Sequence, residues 1–262
     1  MSTRQHHPAA SEQPDLAGWS SAAGSYTIET QLQAFCNWCN KHLETVDEHI
    51  DNLETDFSNG LKLIALVEAL SKKKVPDIPR RPPKFRIQRL HLVSMALSFL
   101  QQTEHVIFTG VGAESFVDGD RRYVLGLVWL LIRHYSKLGQ GGEIKNLKKK
   151  LLEWLREKLP SLNISNFKED WRDGRALGAL IDVLVPGAFP DWKVWKKEDA
   201  SGNIVQAMDF AANWLNVYKL VTAENILNPQ TDEKAIITYI EQFCHCTPDE
   251  IFSAKKRLGE IK

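Results

Sequence analysis

Residues 56–70 read DFSNGLKLIALVEAL, and residues 170–180 read DWRDGRALGAL. Both stretches carry Asp–aromatic–x–Asn/Asp–Gly and then leucine three and six residues after the glycine: Leu63 and Leu66, Leu177 and Leu180. Gly60 and Gly174 stand 114 residues apart. Further landmarks recur in the same order. Trp38 and Trp154 lie on the amphipathic segment before each copy, Ala96-Leu97-Ser98-Phe99 pairs with Ala207-Met208-Asp209-Phe210, and Ala113-Glu114 pairs with Ala223-Glu224. Four landmarks at matching spacing indicate a tandem duplication of a unit of roughly 105 residues. Gly139-Gln140-Gly141-Gly142 falls between the copies, where a flexible linker belongs.

The apolar pattern around these copies is helical. Leu32, Phe35, Cys36, Cys39, Leu43 and Val46 form one stripe, and Ile87, Leu90, Val93, Leu97 and Leu100 form another. Leu61–Leu70 and Tyr123–Ile132 are apolar nearly all round, which predicts buried helices. Arg133 and His134 follow the second run and suit a helix C-terminus. Asn59-Gly60 precedes a helical pattern rather than a second strand, so Asn59 is expected to cap a helix. No stretch alternates convincingly with period two. The expected fold class is all-α.

The chain of 262 residues has 33 Lys+Arg and 33 Asp+Glu, 43% hydrophobic and 25% charged residues, the composition of an ordinary globular protein with a proper core. Zero formal charge argues against a dedicated nucleic-acid binder. The first residues have no apolar signal region, and the longest apolar run is far shorter than the ~18 residues of a membrane span. Four cysteines do not make a disulfide scaffold, and the expectation is a cytoplasmic protein with reduced thiols.

Catalytic and metal motifs are sparse. Cys36-x-x-Cys39 lies on the apolar stripe of a helix, where buried free cysteine is common, and Cys244-His245-Cys246 lacks the spacing of a zinc site. No Walker loop, nucleophile elbow, His-Glu-x-x-His or EF-hand loop is present. Glu44, Asp47, Glu48 and Asp51 read as a solvated acidic face. The expectation is a non-enzyme without cofactor or metal.

Charge patterning is more informative. Lys72, Lys73, Lys74, Arg80, Arg81, Lys84, Arg86 and Arg89 face only Asp77 in sequence, a local charge of +7 that would attract an acidic partner. The same run contains Pro76-x-x-Pro79 and Pro79-x-x-Pro82, read either as stiffening of an inter-helix connection or as a polyproline ligand.

The Trp-bearing first helix, the Asp-x-x-Asn/Asp-Gly turn into a Leu-rich helix and the closing helix resemble calponin homology domains. Two in tandem resemble the actin-binding domains of the spectrin, α-actinin and filamin superfamily. Leu53-Glu54-Thr55-Asp56, Lys84–Gln88, Phe167–Leu180, Pro186-Gly187 and Pro190-Asp191-Trp192 are most similar to filamins. The resemblance covers about residues 29–248 and has two departures. Leu92 stands where the family usually has Asn, which the second copy keeps as Asn203, and the linker lacks acidic and aromatic residues. Immunoglobulin-like repeats of a full filamin are absent before Lys262, as in a fragment or a short form.

The resemblance implies an all-α protein of two domains with four main helices each. The expected boundaries are a tail at 1–28, domain 1 at 29–138, a linker at 139–144, domain 2 at 145–248 and a C-terminal tail at 249–262. It implies binding of filamentous actin, chiefly by domain 1 through about Tyr26–His42, Ser71–Arg86 and Ile107–Tyr135, with domain 2 tuning affinity. The expected contact residues are Phe35, Trp38, Lys41, His42, Lys72, Lys73, Lys74, Arg80, Arg81, Lys84, Arg86, Arg121, Arg122, Arg133 and Lys137. Lys148, Lys149, Lys150 and Lys158 are an accessory actin or acidic phosphoinositide contact. Dimerisation of a parent protein would use a region outside this sequence. The rival reading is an adaptor that keeps the fold but binds a membrane surface or a signalling protein.

Overall fold

A computed structural model describes residues 24–79, 81–139 and 146–261. Among these residues there are twelve α-helices and no strand. They are α1 (Ser25–Leu43), α2 (Leu53–Asp56), α3 (Leu61–Ser71), α4 (Arg86–Gln102), α5 (Ala113–Val117), α6 (Arg121–Tyr135), α7 (Leu147–Lys158), α8 (Arg175–Leu184), α9 (Ala200–Leu215), α10 (Ala223–Leu227), α11 (Glu233–Glu241) and α12 (Pro248–Ile261). Short 3-10 turns link several of them. The all-α, doubled architecture stands as the sequence predicts.

Contacts group the chain differently from the sequence repeat. Among the described residues, 54–127 form one compact unit, and 24–53 join those from 128 onward in another. In the first unit α3 packs on α4 and α4 on α5, around Phe57, Leu63, Leu66, Val67, Val93, Ala96, Leu100 and Phe116. In the second, α1 packs on α11, and α9 packs on α8, α10 and α12. Its core holds Leu151, Leu155, Trp171, Leu177, Leu180, Ile204, Met208, Ala211, Tyr239 and Phe243. Phe167 and Trp171 stack there at 6.2 Å, and the Trp171 indole donates to the Asn166 carbonyl.

The repeated Asp–aromatic–x–Asn/Asp–Gly motif makes the same turn twice. The glycine N–H donates to the carbonyl of the aromatic residue, Gly60 to Phe57 at 3.0 Å and Gly174 to Trp171 at 3.2 Å. The next side-chain oxygen accepts from the first helical N–H, Asn59 from Leu61 at 2.8 Å and Asp173 from Arg175 at 3.0 Å. Asn59 thus caps α3 from one residue further out than expected, because Gly60 itself occupies the N-cap with φ +83°. Gly174 repeats this with φ +79°. A Cβ on Gly60 would meet Leu92 Cβ at 2.6 Å, and one on Gly174 would meet Asn203 Cβ at 2.7 Å. Both the left-handed backbone and the close helix crossing therefore require glycine.

Several boundaries and stripe positions shift. α1 begins at Ser25, inside the expected tail of 1–28, while residues 1–23 lie outside the described residues. Of the expected linker only Gly139 is described, and residues 140–145 lie outside. Val46 is exposed because α1 stops at Leu43 and Asp47 turns left-handed. Ile87 sits on the outer face of the first turn of α4 and is 70% exposed.

Replacing Gly60 by Ala should lower unfolding stability by about 2–4 kcal/mol in urea denaturation, from backbone strain plus overpacking. Gly202→Ala in α9, where an added Cβ meets nothing within 4 Å, should be neutral or stabilising in the same assay.

Candidate functional site

The cationic connector between α3 and α4 leaves α3 through Lys72, a left-handed C-cap with φ +58°. Glu68 organises its start, with one carboxylate oxygen accepting the Val75 N–H at 2.9 Å and the other the Lys74 ammonium at 2.6 Å. Lys73 pairs with Glu104 at 2.8 Å, and Arg86 makes a two-pronged contact with Asp118 at 2.8 Å that raises its already high pKa. Lys73, Lys74 and Arg86 are thus matched by acids that lie outside the run, which the local charge sum could not register. Lys72, Arg81, Lys84 and Arg89 have no ion-pair partner among the described residues. Arg80 lies outside them.

Gln88 closes the connector by accepting the N–H groups of Lys84 and Phe85 at 2.7 and 3.1 Å, which starts α4. Phe85 and Ile87 are then 66% and 70% exposed. Beside them runs a groove of about 290 Å³ lined by Pro79, Arg81, Pro82, Pro83, Ile87, Gln88, His91 and Leu92. Among the described residues this is an apolar floor under a cationic rim. Ile87 escaped the sequence reading because it fitted the apolar stripe of α4, whereas Phe85 lay within the expected contact segment Ser71–Arg86 but was not singled out.

Arg121 and Arg122, at the start of α6, are exposed but engaged. Arg121 binds Glu54 at 2.7 Å, and Arg122 binds Asp120 at 2.8 Å, holding that carboxyl below its ordinary range. Arg133, further along the helix, is half-buried, and burial lowers its pKa.

The α1 residues are placed otherwise than expected. Phe35 is fully buried and stacks on Trp129 at 6.0 Å, and Trp38 is buried with the His42 ring on it edge-on at 4.6 Å. Both aromatic side chains are core rather than surface. Lys41 is half-buried over the Tyr218 ring and donates to Gln242 at 2.9 Å, and burial lowers its pKa. Gln242 also accepts the Tyr218 N–H at 3.1 Å and donates to the carbonyls of Tyr218 and Tyr239. Around it, Tyr218 donates to Glu44 at 2.8 Å and Asn37 to the Leu220 carbonyl at 3.1 Å. Ser136 and His245 share the buried Glu241 carboxylate, and the Lys137 ammonium donates to the His245 carbonyl at 3.0 Å. Glu241 and Gln242 were missed. The signal for them is a polar pair that ends the apolar run Ala235–Ile240.

Lys148 pairs with Glu233 at 2.7 Å, Lys149 lies 3.9 Å from Glu153, Lys158 lies 3.6 Å from Glu157, and Lys150 is half-buried. The α7 face is therefore less cationic than its sequence. All four cysteines are free thiols, and among the described residues no His/Cys/Asp/Glu group could hold a metal ion. Cys36 and Cys39 are buried as expected, and burial pushes the Cys39 and Cys244 thiols well up and Cys246 to about 11. No helix among the described residues is long and apolar enough to cross a membrane. In iodoacetamide labelling at pH 8, Cys246 should react roughly 100-fold more slowly than a free thiol, and all four thiols should label rapidly in denaturant.

The calponin homology (CH) domain family matches the chain twice, at residues 29–137 and 145–249. Filamin-A of Drosophila melanogaster is 44% identical over 223 residues, which cover 81% of this chain and 10% of that protein. Filamin-C of Rattus norvegicus is 39% identical over 221 residues, covering 81% and 8%. Alpha-actinin-3 of Homo sapiens is 37% identical over 221 residues, covering 82% and 24%. The chain spans about a tenth of the length of the filamins it matches. Among solved structures, the actin-crosslinking core of Schizosaccharomyces pombe fimbrin superposes with a TM-score of 0.63 at 19% identity. That match covers 84% of this chain and 50% of the other, and shows a shared fold.

Proposed function

The chain belongs to the calponin homology domain family, with two such domains in tandem, and from that premise we propose that it binds filamentous actin without catalysis. It acts as part of a filamin-like protein of the cytoplasmic actin cytoskeleton. Domain 1, at 29–138, carries the main contact, and domain 2, at 145–248, tunes affinity. The observation that carries this reading is the exposed connector of domain 1. There the exposed Lys72, Arg81 and Lys84 and the half-buried Arg89 lie on the same connector and helix start as the exposed Phe85 and Ile87, a cationic segment with apolar side chains that complements an acidic filament. Support also comes from the tandem arrangement shared with filamins over most of this chain, and from a fold neighbour named for crosslinking actin.

Tuning by domain 2 has a physical basis in the α1 contacts. Lys41 and His42 belong to the expected filament face, yet Lys41 is spent on Gln242 and the Tyr218 ring. A filament that needs this end of α1 must compete with the Gln242 bonds, so domain 2 lowers affinity while those bonds hold. Lys148, Lys149, Lys150 and Lys158 contribute at most a weak accessory contact to actin or acidic phosphoinositides, since three of them already lie beside acids.

Co-sedimentation with filamentous actin over a salt series tests the reading. The Lys72→Glu/Arg81→Glu/Lys84→Glu variant should bind at least tenfold more weakly at low salt, with unchanged stability, and wild-type binding should weaken as salt rises. Absence of wild-type pelleting at low salt would sink the proposal. Gln242→Ala should melt at lower temperature yet bind filaments several-fold more tightly. Equal or weaker binding would remove domain 2 from the role of a brake.

A further inference from the structure

The two domains share the glycine turn but differ in how the following connector is held to it. In domain 2 the Asn203 amide donates to the Asp173 carbonyl at 3.2 Å and to the Lys196 carbonyl at 3.1 Å, tying connector to turn. Arg175 Nε donates to the Trp195 carbonyl at 2.9 Å. The Trp195 ring lies against Gly178, where an added Cβ would meet it at 2.6 Å. Counting from Gly60 and Gly174, the positions of Arg175 and Gly178 are taken in domain 1 by Leu61 and Ile64. Leu92 stands opposite Gly60 as Asn203 stands opposite Gly174. Domain 1 therefore lacks both donors and the glycine that makes room for the ring.

Leu92 is 1% exposed to solvent as a whole residue yet lines the groove of about 290 Å³ together with Pro79, Pro82 and Pro83. Ile87 forms the open wall of that groove. Arg81 and His91 stand among its lining residues, none of which is acidic, and Lys84 and Arg89 flank it in sequence. That charge pattern selects an apolar side chain carried between carboxylates.

We propose that the loss of the Asn tether at Leu92 turns the domain 1 connector into an apolar docking groove, which takes one large side chain from an acidic segment of the partner. This rests on the reading of filamentous actin as that partner. Leu92 is then a specificity-determining position that distinguishes the connector of domain 1 from that of domain 2.

Ile87→Ser, at an exposed site, removes the wall without touching the core. Leu92→Asn replaces the floor with an amide able to tether the connector, and Val194→Ser, at a 74% exposed site in domain 2, is the control. With filamentous actin as the probe in co-sedimentation, both groove variants should bind roughly tenfold more weakly than wild type, and the control should match it. Because an apolar contact is not screened, the Ile87→Ser deficit should persist at high salt, where the charge-reversal deficit shrinks. A melting curve checks that Ile87→Ser is as stable as wild type, which keeps the test independent of whether Leu92→Asn folds. If wild type pellets and Ile87→Ser pellets equally, or its deficit vanishes with salt, the groove is overturned while actin binding stands. If wild type does not pellet, both fall.

Discussion

At Gly60 and Gly174 the chain has no room for a Cβ: the backbone is left-handed, and the next long helix passes within contact of the Cα. In domain 1 this crossing sets α3 against α4 with Phe57 beneath it, and in domain 2 it sets α8 against α9 with Trp171 beneath. The hydrogen-bonded turn, the side-chain cap from Asn59 or Asp173 and the leucines three and six residues on all follow from that approach. The leucines point into the core only if the helix starts at the residue after the glycine.

With the crossing held constant, the residues around it are free to change what happens to the connector. Asn203 and Arg175 satisfy carbonyl groups that connector and turn would otherwise leave to solvent, and they hold the segment down. Leucines in the corresponding places of domain 1 pack but cannot donate. The same fold thus carries a tethered connector in one domain and a grooved one in the other, through hydrogen-bond donors rather than any change in helix order.

Electrostatics reads differently in sequence and in space for a similar reason. The +7 run between Lys72 and Arg89 is partly answered by Glu68, Glu104 and Asp118, none of which lies within it. What is left exposed is a smaller set of cations on the same segment as two exposed apolar side chains, Phe85 and Ile87. On α1 the reverse holds: Lys41 is drawn into a polar cluster centred on Gln242, a residue that no charge pattern would single out.

The sequence by itself determined the helical class, the duplication, the two glycine turns and most of the core, because each depends on spacing along one helix or on a conformation that only glycine adopts cheaply. It also showed Leu92 as the odd residue of its repeat. Only the tertiary structure decided that Trp38 is core, that Phe85 and Ile87 are exposed, and that Lys73, Lys74 and Arg86 are paired while Lys72, Arg81 and Lys84 have no ion-pair partner among the described residues. Periodicity marks which face of a helix is apolar but not how far along the helix its neighbours cover it. Charge counted along the chain likewise omits partners that folding brings from tens of residues away.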